Sequence, residues 1–329
     1  MDVAGIGTPY FDQLISLDVL PVTDNHARTL AASWQYGGKV ATALVALARL
    51  GYEAAMHANV GGVHGRCIRY DFERHGVDCK NLRDVTGKHS AITVCLAEKS
   101  TGGRSFIGFP SPFPVHDIRA DELNKDALLC AKWLLISDLN GASALAAEWF
   151  KEAGKPVVID GDTLGTDCGD KFYLIDHLLI SSYTYGNFFG DDGDYEKNLR
   201  ALRLMQKNES AVTVVTLGSD GVAGICEEGN YFRLPAFTVD VVDTTGAGDV
   251  FHGAYIAGRF KGMKAAEACN FAQAVSAVKC TRLGGRAGIP TTGQTEEFLA
   301  TGRCDFPELD ERAAYYGVPP FDRLIGQEL

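Results

Sequence analysis

The chain has 329 residues, 31 Lys and Arg against 42 Asp and Glu, a formal charge of −11, and 46% hydrophobic against 22% charged residues. At roughly 150 residues per domain the length suits two domains, or one α/β domain with an appendage, and the acidic balance without a dense basic run argues against a nucleic-acid or anionic-membrane partner. Nine cysteines with no CxxC pair make neither a disulfide framework nor a zinc site, and no segment approaches the roughly 18 apolar residues of a membrane span, so a cytoplasmic location is expected.

Taken in chain order, Val3 to Gly7 reads as a strand, whereas residues 11 to 36 hold no convincing helix. Gly37-Gly38 opens an Ala/Leu-rich helix that Gly51 closes. Residues 88 to 109 read as a hairpin, Ala91 to Leu96 and Arg104 to Ile107 joined across Ser100-Thr101-Gly102-Gly103, with a stop at Pro110-Ser111-Pro112-Phe113-Pro114 after it. Short apolar runs at Trp133 to Ser137, Pro156 to Asp160, His177 to Ile180 and Ala211 to Thr216 then alternate with helical spacing over Ser143 to Ala153 and Tyr195 to Lys207. Runs apolar at consecutive positions suit strands covered on both faces. Strand-helix repetition predicts a doubly wound, mostly parallel α/β sheet with helices on both faces and right-handed crossovers.

The stretches at about 11–36 and 88–114 predict a small, discontinuous β-sheet inserted in a core spanning residues 1–300. It is either a lid over an active site or a surface ribbon that straps two copies into a homodimer. Residues 301–329, with Pro307, Pro319 and Pro320 among charges and tyrosines, read as an extension wrapped on the surface.

The segment richest in chemistry runs from Phe237 to Tyr255. A strand is expected to end at Asp243, small residues to make a tight turn, and a helix to begin near Ala247. The first amides of a helix lack intrahelical acceptors and its dipole favours negative charge there, so phosphate is the natural occupant of such a turn. Asp249, in the first helical turn, could take a proton from an attacking hydroxyl; alternatively it only complements the helix N-terminus. Gly5-Ile6-Gly7 is no dinucleotide fingerprint, since the third glycine is missing and Pro9 follows at once.

Asp243-Thr244-Thr245-Gly246-Ala247-Gly248-Asp249 resembles the signature of the PfkB, or ribokinase-like, carbohydrate kinases. The resemblance implies that Gly246, Ala247 and Gly248 form an anion hole for the transferred phosphoryl group, that Asp249 is the base, and that ATP and Mg2+ are required. Gly37 to Gly51 is similar to the second signature of that family, with Gly37, Gly38 and Lys39 on the sugar side, and Asp12 resembles its N-terminal acid that binds sugar hydroxyls. Val215 to Gly221 is similar to its nucleotide-binding strand and turn, which would put Thr216, Gly218, Ser219 and Gly221 on the nucleotide beside Gly248; a glycine hairpin turn explains the same residues.

Within the family, Val239 to Ala254, Lys279 to Pro290, Phe109 to Pro112 and Asp160-Gly161-Asp162 resemble members that act on ketoses, the sulfofructose kinases first and ketohexokinases more distantly. Gly108 and Asn140 stand where sulfonate contacts would be expected, which points to a different acceptor. Lys39 suits an anionic group on that acceptor, or is a solvent-facing lysine at a helix start. Ser181-Ser182-Tyr183-Thr184 replaces the Asn-x-x-Glu pattern that organises Mg2+ in many relatives, leaving phosphates, water and Asp162 to hold the metal. Asp243 resembles the monovalent-cation position of the family, which makes K+ a further candidate; without a cation it would brace the glycine turn. The function expected is transfer of the γ-phosphoryl group of ATP to a small-molecule ketose, with a nucleoside-type kinase or a non-catalytic sensor as alternatives.

Overall fold

The computed structural model describes residues 1–101, 103–162 and 164–321. Thirteen strands follow in chain order: β1 (Val3–Ile6), β2 (Tyr10–Leu17), β3 (Thr29–Gly37), β4 (Ala54–Val60), β5 (Leu82–Asp84), β6 (Ile92–Glu98), β7 (Arg104–Phe109), β8 (Trp133–Ile136), β9 (Val157–Asp160), β10 (His177–Ser181), β11 (Val212–Thr216), β12 (Val222–Ile225) and β13 (Tyr231–Leu234). The helices are α1 (Lys39–Arg49), α2 (Gly62–Arg74), α3 (Lys125–Leu129), α4 (Gly141–Glu152), α5 (Ser182–Phe189), α6 (Tyr195–Met205), α7 (Ala247–Phe260), α8 (Ala265–Cys280), α9 (Thr292–Thr301) and α10 (Pro307–Tyr316).

Nine strands form one sheet in the order β13-β12-β11-β10-β9-β8-β1-β4-β5. Neighbouring strands are parallel from β11 to β5; β12 runs against them, so its pairings with β11 and β13 are antiparallel. Side chains alternate across it as the two-residue strand period requires. Leu135 and Val158 join α1, α2, α7 and α8 on one face, while Leu134, Ile136, Val157 and Ile159 join α3, α4 and α6 on the other. Burial on both faces explains why these strands read as unbroken apolar runs.

The other four strands form a separate sheet in the order β3-β2-β6-β7. Its centre is a parallel pair, Phe11 to Leu17 beside Ile92 to Glu98, and β7 is an edge strand exposed along its whole length.

The structure differs from the sequence reading at residues 237–243, which form no strand. The amides of Val242 and Asp243 bond to the Cys280 carbonyl at the end of α8 instead of to a neighbouring strand, and Val241 and Val242 are exposed. Past residue 301, α10 buries Leu309, Arg312 and Tyr316. The Tyr316 hydroxyl donates to Asp71 Oδ1 at 2.8 Å, and Arg286 Nη1 meets Asp71 Oδ2 at 2.6 Å with both partners buried. Residues 322–329 of the expected extension lie outside the described residues. Among the described residues no helix is long and apolar enough to cross a membrane.

Candidate active site

The turn into α7 is shaped by Gly246, whose φ of 73° is open to glycine at little cost. Thr244 O accepts the Ala247 amide at 3.1 Å, and the first helical bond runs from the Val250 amide to Gly246 O at 2.9 Å. No acceptor is found among the described residues for the amides of Gly248 and Asp249, the donors that a helix N-terminus leaves open. Ala247, expected in the anion hole, therefore has its N–H turned to the Thr244 carbonyl, and the Asp249 amide stands open beside that of Gly248. A methyl group at Gly248 would meet nothing nearer than Asp162 Oδ2 at 3.8 Å, so the Gly248 face toward the turn after β9 is open.

Three carboxylates gather there. Asp160 ends β9 and is 1% exposed; its Oδ1 accepts the Asp162 amide at 3.2 Å, which folds the turn back on itself. Burial, and after it the charge of Asp160, drives the Asp249 carboxyl well above the usual carboxylate range, with Asp162 adding to the rise and His252 and Lys39 opposing it. His252, one turn along α7 from Asp249, places Nδ1 2.7 Å from Gly248 O and 3.4 Å from Asp160 Oδ2, with Nε2 3.5 Å from Leu179 O. Carbonyl oxygens can only accept, so a neutral ring could donate to just one of the two. Burial alone would lower its pKa, but Asp160, Asp162 and Asp249 raise it.

Lys39 Nζ lies 3.7 Å from Asp160 Oδ1. The lysine offered by the sequence reading to an anionic acceptor is thus directed to the carboxylate cluster in front of Gly248.

The expected acceptor residues sit to one side of that cluster. Asp12, on β2, faces Gly37 so closely that a Cβ there would fall 1.9 Å from Asp12 Oδ2, and burial raises the Asp12 carboxyl to about 7 against the opposing charge of Arg286 and a hydrogen bond from Thr93. Gly38, with φ of 95°, brings its backbone against Thr8 O, where a Cβ would be 2.3 Å away. Asn140 is the N-cap of α4 without a side-chain capping bond and lines a cavity of about 520 Å³ with Thr8, Asp117, Arg119, Asp138 and Ser143. Gly108 lies on the exposed strand β7. The expected nucleotide residues lie at the same sheet edge, two strands from β9. Thr216 ends β11, and Gly218 and Ser219 are exposed in a turn closed by the Leu217 amide on Gly221 O at 2.8 Å.

The donor sets distinguish the two expected metals. Asp162 Oδ1 is a buried oxygen without a hydrogen-bond partner among the described residues and suits a hard divalent ion such as Mg2+, whereas Asp160 Oδ2, likewise without one, faces His252 Nδ1 at 3.4 Å. Asp243 does not fit as a metal ligand. Its Oδ1 accepts the Thr245 amide at 2.9 Å and the Thr245 hydroxyl at 2.7 Å, and its Oδ2 accepts the Gly284 amide at 2.8 Å. At Ser181 to Thr184 the serine caps α5 through Thr184 N, and no carboxylate stands there.

Asp160, His252, Lys279 and Arg286 were not singled out as site residues by sequence. His252 was within reach, since it lies three residues after Asp249 on one helix face.

Residues 10–292 match the model of the pfkB family carbohydrate kinases. The chain is 27% identical to a ribokinase of Haemophilus influenzae over 80% of this chain and 87% of that one. It is 25% identical to mouse ketohexokinase over 84% and 94%. Its fold is similar to that of a candidate Ribokinase II from E. coli solved with ATP and Mg2+, with a TM-score of 0.77 at 19% identity, covering 91% of this chain and 99% of the other.

Proposed function

The chain belongs to the pfkB family of carbohydrate kinases, and from that premise we propose that it transfers the γ-phosphoryl group of ATP to a hydroxyl of a ketose or ketose-like sugar. Phosphotransfer to an alcohol is the activity of the family. The ketose is a narrower reading, supported by the similarity to mouse ketohexokinase and by the resemblance of Lys279 to Pro290 and Phe109 to Pro112 to ketose-acting members. The observation that carries the transfer chemistry is Asp249 in the first turn of α7, beside two amides without acceptors and an open Gly248 face.

In this mechanism Asp12 and the Gly37-Gly38 loop hold the acceptor. Asp249 takes the proton of the attacking hydroxyl, whose oxygen bonds to the γ-phosphorus as the bond to the β-phosphate oxygen breaks and ADP departs. A carboxyl raised toward neutrality is a stronger base than an exposed one, which suits it to this proton. The Gly248 and Asp249 amides donate to the oxygens of the moving group, and Lys39 adds positive charge beside them. Mg2+, when bound, neutralises phosphate charge, and Asp162 with Asp160 beside it would hold it directly or through water. The turn at Thr216 to Gly221 would take the rest of the nucleotide.

The small sheet carries Asp12 and would close over the cleft to exclude water. Phe106, Ile107 and Phe109 on its exposed edge strand support a homodimer formed through that sheet. The acceptor is tested by ADP release across ketoses, aldopentoses, sugar acids and nucleosides. Highest kcat/KM on a ketose is expected; turnover on nucleosides alone would replace the acceptor, and none on any would leave a binding protein.

A further inference from the structure

The resemblance to the carbohydrate kinases leads one to expect a monovalent cation beside Asp243, but the oxygens of this turn are already held by a side chain. Lys279, in the last turn of α8, is 0% exposed. Its ammonium donates to the carbonyl of Asp243 at 2.9 Å and to the carbonyl of Thr245. A buried ammonium persists only where oxygens replace its lost hydration, and two backbone carbonyls of one turn supply them. The Asp243 carboxylate is closed by Thr245 and Gly284. Burial would raise its carboxyl, but Lys279 and these hydrogen bonds outweigh it and keep the group ionised. One positive charge thus sits where two carbonyls and a carboxylate converge, immediately before Gly246.

We propose that the Lys279 ammonium is a built-in monovalent cation: it holds the Asp243 to Thr245 turn in the shape that aims the Gly248 and Asp249 amides at a phosphoryl group, and makes binding at this turn independent of K+. Lys279 is a positioning residue, since among the described residues the hydrogen bonds of its ammonium go to that turn. The inference rests on reading that turn as the phosphoryl site.

The test compares KCl with choline chloride at equal ionic strength, reading ADP affinity by calorimetry and Tm by scanning fluorimetry on the full chain. The wild type is expected to give the same values in both salts. Lys279→Ala, in choline, is expected to bind ADP about tenfold more weakly and melt lower, and to regain both in KCl or methylammonium chloride, which supply the missing cation. A wild type that binds ADP more tightly or melts higher specifically in K+ would overturn the proposal, as would a variant unaffected in choline or one that no cation restores. Lys279→Met, which keeps the apolar stem, provides a second variant if the alanine does not fold, and the wild-type comparison stands without either. If the wild type binds no ADP in any salt, the kinase reading fails, and the melting response of the variants to K+ still decides the role of Lys279.

Discussion

His252 Nδ1 stands 3.4 Å from Asp160 Oδ2, with both side chains 1% exposed, and against the effect of burial the carboxylates grouped at the start of α7 raise its pKa and so favour its cationic form. A nearby positive charge favours the ionised form of a carboxyl group. Asp249, already raised by burial and Asp160, would rise further without it. Since the base must be ionised to act, the acidic limb of the kcat/KM profile should move to higher pH in His252→Ala. A pH profile superimposed on that of the wild type would remove His252 from this role.

Asp249→Asn keeps the shape of the side chain and removes its basicity. We expect kcat to fall by about 10²- to 10⁴-fold, with ADP affinity by calorimetry little changed. Turnover at the wild-type rate would show that another group accepts the proton.

Gly248→Ala separates the ligand site from the fold. A methyl there meets only Asp162 Oδ2 at 3.8 Å, and alanine in a helix is favoured over glycine by about 0.5–1 kcal/mol. Tm should be unchanged or higher, while kcat/KM for ATP falls about tenfold or more as the methyl fills that open face. Equal kcat/KM would place the phosphoryl group elsewhere.

Arg286→Met leaves Asp71 buried without its cation, a loss of about 3–5 kcal/mol when one partner of such a pair is removed. Denaturant melts should show it as a lower midpoint with the same slope. Burial would raise the Asp71 carboxyl, but His75, Arg286 and Tyr316 outweigh it and hold it below the ordinary value of 3.8. A depressed carboxyl contributes stability above its unfolded value and loses it as pH falls toward the folded one. The wild type should therefore lose this contribution only below about pH 4, and Asp71→Asn should flatten that part of the stability profile.

Phe106 and Ile107 are 62% and 49% exposed on the edge strand. Light scattering should give the wild type twice the chain mass of 35.4 kDa, and Phe106→Lys with Ile107→Lys should give the single mass. A wild type of single mass would reject the dimer.

The parts of this molecule legible in the sequence are those whose cause is local. Strands β8 to β11 announced themselves because burial on both faces demands consecutive apolar residues, and the start of α7 was visible because its turn needs Gly246 and a run of small neighbours. The approach to that helix misled: Phe237 to Asp243 has the alternation of a strand, but its amides turn to Cys280 O, an acceptor set by α8. The same holds for the site. Asp249 lies inside one motif, whereas the cluster around it joins Lys39, Asp160 and His252 from three distant segments. Direction was hidden too, since nothing in Gly37-Gly38-Lys39 says that the lysine reaches Asp160. Arg286 and Asp71, 215 residues apart, meet only once the chain has closed on itself.

That closure bears on when the protein becomes competent during its own synthesis. Tyr316 seals Asp71 and Arg286 from water, and two residues before Arg286 the Gly284 amide grips the aspartate that shapes the phosphate turn. A nascent polypeptide with α10 still inside the ribosomal tunnel lacks that seal, so this corner of the molecule is completed only once that helix has emerged and docked.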